Sequence, residues 1–151
     1  MKPFSVAAAV SAGAAGGTAE MLWVAAYSAA APASGLEVAR QVAATVLPAT
    51  AGLSSAPLIG VLIHMALSIA LGLALAKLLL GRLAPRHGCG ALIAAALGTL
   101  AAVWAINFFV ILPLLNPAFV TLLPFAVTLA SKLLFGLAMG MALAVPRGAI
   151  P

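Results

Sequence analysis

Four long apolar segments constrain this chain more than any other feature of its sequence. They cover about residues 4–29, 58–80, 91–113 and 122–145, and a helix that crosses the hydrocarbon core of a bilayer needs roughly 20 such residues. Of the 151 residues, 66% are hydrophobic and 6% are charged, whereas soluble domains average about 25% charged residues. The sequence therefore predicts an all-α membrane protein, a four-transmembrane-helix bundle that forms one domain over residues 1–151.

The first segment follows Lys2 and resembles the start of a secretory signal peptide, with three alanines at 7–9 in place of a small-residue cleavage site. The apolar part of a signal peptide, however, is only about 7–15 residues long. Here the apolar stretch continues to about Tyr27. We therefore expect the first segment to be a retained helix.

The basic residues lie at the ends of the apolar segments and predict the orientation of the chain. One side of a four-span topology carries most of them: Lys2, Lys77, Arg82, Arg86 and Arg147. The other side carries Arg40. Because basic residues accumulate on the cytoplasmic side, we expect a multi-pass protein of the cell membrane with both termini in the cytoplasm. The net charge of +5 is not gathered on one face, so nucleic acid is not an expected partner.

The connector between the first two segments has the pattern of a short helix. Ser34 and Glu37 have the Ser-x-x-Glu spacing of a capping box, in which each side chain bonds the backbone N–H of the other residue. Four polar residues then recur on one face: Glu37, Arg40, Gln41 and Thr45. Pro48 ends the pattern. We expect a short amphipathic helix in the outer interface between helices 1 and 2; the alternative is a partly ordered, alanine-rich loop.

Two similarities within the chain suggest an internal repeat. Segment 17–23 shares its Gly-Thr pair and its Trp with segment 98–104, and segment 71–74 resembles segment 135–138. Two-helix units repeated in tandem would be parallel, related by an axis along the membrane normal. The alternative is a chance match, because alanine, leucine and glycine are so frequent in this chain.

Each apolar segment carries one strongly polar residue at membrane depth: Glu20, His64, Asn107 and Lys132. At about 1.5 Å per residue from the outer helix ends, Glu20 and Lys132 share a depth of about 14–15 Å, and the other two lie about 9 Å deep. A charge that faces lipid costs about 2.5–3.5 kcal/mol even on the gentlest scale. We therefore expect Glu20 and Lys132 to pair inside the bundle, with His64 and Asn107 filling the remaining hydrogen bonds.

Glycines near three of these residues predict helix-packing faces. Small residues let helices approach closely, and positions three, four or seven apart share one face of a helix. We assign five packing glycines: Gly13 and Gly17 with Glu20, Gly72 with His64, and Gly136 and Gly140 with Lys132. The polar residues on those faces would then point toward neighbouring helices rather than toward lipid.

The intramembrane polar site allows three interpretations. It is a static ion pair that fixes helix register, a proton-handling or ligand-binding site, or a set of faces buried against another subunit. A haem held by two histidines of one chain is excluded, because His64 is the only histidine within the segments. A Met ligand or a second chain would be needed.

The sequence has no recognisable catalytic motif. Cys89 is the only cysteine, so an intrachain disulfide and a Cys-built metal site are excluded. A Gly-rich phosphate loop and a nucleophile–base arrangement are also absent from the sequence. We expect no enzyme activity, no catalytic residue, no metal site and no cofactor.

The layout resembles uncharacterised four-span bacterial membrane proteins with a histidine early in the second helix and a Gly-rich last helix. It is also similar to small multidrug transporters, which carry a membrane-embedded glutamate in their first helix, as Glu20 is here. The chain departs from the transporters in its length, in Lys132 and in the motif around the acid. The sequence favours a small accessory or structural subunit of a larger membrane complex, in contact with lipid and with other membrane-protein subunits or copies of itself. The alternative is a proton-coupled small-molecule transporter or channel that uses Glu20 and Lys132.

Overall fold

The computed structural model describes residues 5–31, 33–82 and 89–144, and all regular elements in these ranges are helical. In chain order they are α1 (Val6–Ala30), α2 (Gly35–Val46), a 3-10 turn (Pro48–Thr50), α3 (Ala56–Arg82), α4 (Cys89–Ile106), a π-helical segment (Asn107–Ile111), α5 (Leu112–Leu115), α6 (Pro117–Val120) and α7 (Phe125–Ala144). The predicted all-α class is confirmed for these ranges.

Three stretches of helix in the described ranges are long and apolar enough to cross a membrane: Ala56–Leu79, Gly90–Leu115 and Phe125–Ala144. They correspond to the second, third and fourth predicted segments. The first segment corresponds to α1, which has 25 residues. It is less apolar, because three glycines, Ser11, Thr18 and Glu20 take the places of larger apolar residues. Membrane crossing by α1, and with it the four-span bundle, stays a prediction.

α1 and α7 form the centre of the fold. α1 packs against α3 and α7, and α4 packs against α7. α3 and α4 contact each other much less, so the four long helices are ordered α3–α1–α7–α4 with an open side between α3 and α4. A buried apolar cluster joins all four helices: Ala12, Leu75, Leu79, Leu92, Ala96, Leu100, Phe135 and Met139. It includes the end of α3 and the start of α4, so the bundle is closed most tightly at that end.

The parallel internal repeat is not confirmed. A repeat of two-helix units would pair α1 with α3 and α4 with α7, and both pairs do pack. It would also make the α1–α7 contact equivalent to a contact between α3 and α4. The first of these contacts is extensive and the second is slight, so the described helices do not have the expected symmetry.

Glycines set the distance between α1 and α3. A Cβ added to Gly13 would lie 2.6 Å from the carbonyl oxygen of Ser68, and one added to Gly17 would lie 2.6 Å from the Ser68 Cβ. A Cβ on Gly72 would overlap the backbone of Gly13. Larger residues at these positions would therefore force the two helices apart.

Two further glycines set the distance between α7 and α4. A Cβ on Gly136 would lie 3.3 Å from the carbonyl oxygen of Ala96, and one on Gly140 would lie 3.2 Å from the Cα of Ile93. These approaches are tight but less extreme than those of α1 and α3. All five glycines that the sequence marks for helix packing thus lie against a neighbouring helix.

α2 begins at the predicted cap. The N–H of Glu37 donates to the Ser34 Oγ over 3.3 Å, which satisfies one of the free N–H groups of the first turn. In a full capping box the Glu37 carboxylate would also accept the Ser34 N–H. Here it accepts a hydrogen bond from Gln41 at 2.8 Å and pairs with Arg40 at 3.2 Å instead. The Ala39 carbonyl packs directly against Gly60 of α3, a glycine contact that the sequence analysis missed.

The π-helical segment precedes Pro113. Pro113 has no N–H to donate, and its ring would collide with the carbonyl group four residues earlier in a regular α-helix. The Leu112 N–H instead reaches the carbonyl oxygen of Asn107, five residues back. The wider turn relieves the conflict, and such turns are common at kinks and hinges.

Candidate functional site

The centre of the site is an ion pair between α1 and α7. The Lys132 Nζ donates to the Glu20 Oε2 over 2.8 Å. The Lys132 side chain is 15% exposed and that of Glu20 is 12% exposed, so both charges have lost most of their contact with solvent. A charge-assisted hydrogen bond of this length is among the stronger polar contacts in proteins.

Ser131 completes the bonding of the carboxylate. Its Oγ lies 3.2 Å from the Glu20 Oε1 and 2.8 Å from the carbonyl oxygen of Thr128. A hydroxyl group has one proton to donate, so Ser131 divides that proton between the two acceptors. Each Glu20 oxygen therefore has a donor, and the expected roles of His64 and Asn107 in bonding this pair are filled by Ser131. Ser131 was not predicted as a site residue from the sequence.

Phe135 packs beneath the ion pair. Its ring is 1% exposed, and its centroid lies 5.7 Å from the Lys132 Nζ, within the range of a cation–π contact. A Cβ added to Gly16 would lie 2.6 Å from the Phe135 ring. Because Gly16 has no side chain, the Phe135 ring can pack against α1 beneath Lys132. This glycine was not predicted as a packing position from the sequence.

The structure corrects the predicted sharing of faces on α1. Gly13 and Gly17 lie against α3, whereas Glu20 points to α7 together with Gly16. The cause is that α1 lies between two helices, so its small residues follow two separate stripes. A spacing of three or seven residues is compatible with either stripe, and the sequence alone does not separate them.

The same correction applies to α7. Gly136 and Gly140 lie against α4, whereas Lys132 points to α1. The predicted glycine face does exist on α7. Its glycines pack against one neighbouring helix, and its charged residue bonds to another.

Two tryptophans bind α7 from opposite sides, one turn from the ion pair. The Trp23 Nε1 of α1 donates to the carbonyl oxygen of Val127 over 3.0 Å. The Trp104 Nε1 of α4 donates to the Thr128 Oγ1 over 3.0 Å. From the sequence both residues fit the aromatic belt of a membrane protein. The hydrogen bonds give them a second role, which is to fix the position of α7 beside Glu20.

His64 lies at the contact of α3 with α1. Its Nε2 is 3.2 Å from the carbonyl oxygen of Gly17 and 3.4 Å from the Ser68 Oγ. Because a carbonyl oxygen only accepts, we assign a proton to Nε2. Gly17 is three residues before Glu20 along α1, so His64 of α3 and Lys132 of α7 bond to neighbouring positions of α1 from two different sides.

Asn107 is separate from the other three predicted polar residues. It opens the π-helical segment, and its carbonyl oxygen accepts the N–H of Leu112. Trp104, three residues earlier, bonds to α7 instead. The structure thus joins Glu20 with Lys132, places His64 nearby, and leaves Asn107 outside the site.

Within the described ranges, no group of three His, Cys, Asp or Glu side chains is close enough to hold a metal ion. Among the residues used to predict orientation, Lys2, Arg86 and Arg147 lie outside the described residues, as does His87 of the inner loop. No known protein family, characterised protein or solved structure matches this chain.

Proposed function

We propose that α1 crosses the membrane as a fourth span. With 25 residues and about 1.5 Å per residue, it is about 38 Å long, which exceeds the roughly 30 Å of the hydrocarbon core. Its one charge, Glu20, has Lys132 as a counter-ion. A paired charge inside a bundle avoids most of the penalty of a charge facing lipid.

The basic residues then orient the protein in the cell membrane. Lys77 lies in the last turns of α3, at the end of the bundle at which α1 begins and α7 ends. With both termini in the cytoplasm, α2 lies on the outer side. Its exposed Val46 suits the lipid side of an interface. Glu37 lies nine residues earlier, which is the opposite face at 3.6 residues per turn, and suits the water side.

In this membrane setting, the protein acts as a small accessory subunit that packs against and positions neighbouring chains of a larger membrane complex. One observation carries this proposal: each oxygen of the Glu20 carboxylate has a donor within the chain, Lys132 for one and Ser131 for the other. The pair fixes the register of α1 and α7, because each charge has the other as its counter-ion. The fold would then serve as a rigid body in an assembly.

Purification in a mild detergent, followed by measurement of the mass of the intact complex, tests the proposal. We expect unrelated chains in a fixed ratio to this protein. The double variant Gly72→Leu/Gly13→Leu should push α1 and α3 apart. We expect it to release those partners. A homodimer free of other chains would contradict the accessory role and favour the second candidate.

The second candidate is a proton-coupled transporter or channel that works through Glu20 and Lys132. The position of His64 favours it, because the imidazole bonds the Gly17 carbonyl one helical turn from the buried carboxylate. Proton flux into liposomes that is lost in Glu20→Gln and retained in Glu37→Gln would support transport. Equal flux in both variants would remove Glu20 from the pathway.

A further inference from the structure

Ten consecutive residues of α1 have no large apolar side chain. Residues 11–20 are four alanines, three glycines, one serine, one threonine and one glutamate. The favourable transfer of a helix from water into lipid grows with the apolar area of its side chains, and this part of α1 offers little such area. In keeping with this, α1 is not among the three stretches of helix that are long and apolar enough to cross a membrane.

The same part of α1 is covered by protein instead. Gly13 and Gly17 lie against α3, and Gly16 lies against the Phe135 ring of α7. Small residues of this kind let helices pack closely within a membrane. Five of the ten residues are buried in this way: Ala12, Gly13, Gly16, Gly17 and Glu20. Contacts with neighbouring helices, rather than contact with lipid, therefore hold this part of α1 in place.

The one charge of α1 is supported by α7. Within the described ranges, both groups that donate to the Glu20 carboxylate belong to that helix: the Lys132 Nζ at 2.8 Å and the Ser131 Oγ at 3.2 Å. Of the two, only Lys132 carries a charge that balances the carboxylate. A charged side chain without a partner is costly at membrane depth, so α1 needs α7 as well as close packing.

α7 does not need α1 in the same way. It is among the stretches that are apolar enough to cross a membrane, and Lys132 is its one charged residue. Large apolar side chains flank that lysine, with Leu129 and Leu133 among them. The dependence between the two helices is therefore one-sided: α7 is suited to the bilayer by its own composition, whereas α1 is not.

We propose that α1 is a dependent span, which crosses the membrane only because Lys132 of α7 neutralises Glu20. Without this counter-ion, α1 lies on the outer surface beside α2, and its N-terminal end is on the outer side. α3 and α4 keep their orientation, because Lys77 and Arg82 in the last turns of α3 favour the cytoplasmic side. The inference rests on the fourth span proposed above and does not depend on the accessory or the transport role.

The side of the membrane on which residue 5 lies tests this proposal. Ser5→Cys, made together with Cys89→Ser, gives the parent chain, which has a single thiol just before α1. A membrane-impermeant thiol reagent is applied to intact cells and to inverted vesicles, on newly synthesised full-length chains, so that a variant that folds poorly is still scored. We expect the parent to be labelled in inverted vesicles. Lys132→Met should shift the ratio of outer to inner labelling roughly a hundredfold, as expected for one charge exposed to lipid.

Two further variants separate the effect of the counter-ion from a general loss of stability. Ser131→Ala removes the second donor of the carboxylate and keeps the charge of Lys132, so it should be labelled like the parent. Glu20→Gln, alone or together with Lys132→Met, removes the charge from α1 itself and should also leave residue 5 on the inner side. Parent-like labelling of Lys132→Met, or outer labelling that persists without Glu20, would overturn the dependence.

The native Cys89 shows whether α1 moves alone. In Lys132→Met with an unchanged Ser5, Cys89 should still be labelled only in inverted vesicles, because α3 and α4 keep their places. Labelling of Cys89 in intact cells would mean that the whole chain inverts, which would overturn the proposal. Outer labelling of residue 5 already in the parent chain would have a different meaning: it would remove the fourth span itself, and the dependence with it.

Discussion

The Glu20–Lys132 pair leads to the sharpest prediction, because each partner has few other groups to support its charge. Glu20→Gln leaves the Lys132 ammonium with an amide oxygen and the Phe135 ring, whose centroid is 5.7 Å away. Lys132→Met leaves the Glu20 carboxylate with Ser131, whose one proton is shared with the Thr128 carbonyl. Each single change therefore creates a buried charge that is poorly compensated.

The expected magnitudes follow from the burial of the pair. Side-chain exposures of 15% and 12% place it among buried ion pairs, for which the loss of one partner costs about 3–5 kcal/mol. We expect each single variant to lose about 3 kcal/mol of unfolding free energy, the lower end of that range, because the pair is not completely dry. The double variant leaves no buried charge unpaired, so it should recover much of the single-variant loss instead of showing the additive loss of about 6 kcal/mol.

Reversible unfolding in mixed detergent micelles measures these free energies. The tryptophan fluorescence of Trp23 and Trp104 is a suitable signal, because both indoles donate to α7 within a turn or so of Lys132. Lys77→Met is the matched control: it removes the same kind of charge from an exposed position of α3 and should change stability by less than about 0.5 kcal/mol. Losses that add to about 6 kcal/mol in the double variant would refute the coupling and indicate two independent polar sites.

Two further predictions concern packing and orientation. Gly72→Ala should destabilise the fold by about 1–3 kcal/mol, because the added methyl group would overlap Gly13, whereas Gly98→Ala, with nothing within 4 Å of the added Cβ, should be neutral or stabilising; equal effects in the same unfolding assay would contradict the packing argument. A membrane-impermeant thiol reagent should label Cys89 in inverted vesicles and not in intact cells, and the opposite pattern would reverse the orientation inferred from the basic residues.

The sequence predicts which segments form helices better than it predicts which helices contact each other. Apolar length and proline positions were enough to place the long helices, and the Ser34 cap was enough to place α2. The pairing of Glu20 with Lys132 was also expected, because the two opposite charges share one depth. None of these inferences needs knowledge of which helix lies beside which.

Neighbour relations could not be predicted in the same way. Glu20 and Gly17 are three residues apart, and this spacing fits one broad face as well as two adjacent stripes. The structure assigns Gly17 to α3 and Glu20 to α7. Ser131 and Gly16 were missed for a similar reason: a serine or a glycine in a chain so rich in small residues becomes informative only when the facing helix is known.

Burial also explains why the first helix differs in composition from the others. Of the three helices that are clearly apolar enough to cross a membrane, α7 is the most buried, at 39% against 22% for each of the other two, and it has the lowest mean hydropathy. A lower mean hydropathy is expected of a helix with several helix neighbours, because close helix contact favours small side chains over large apolar ones. α1 contacts α3 and α7 on two faces and carries a charge that its neighbour neutralises. The glycines of α1 therefore suit its position between α3 and α7, where a larger side chain at Gly13, Gly16 or Gly17 would meet a neighbouring helix.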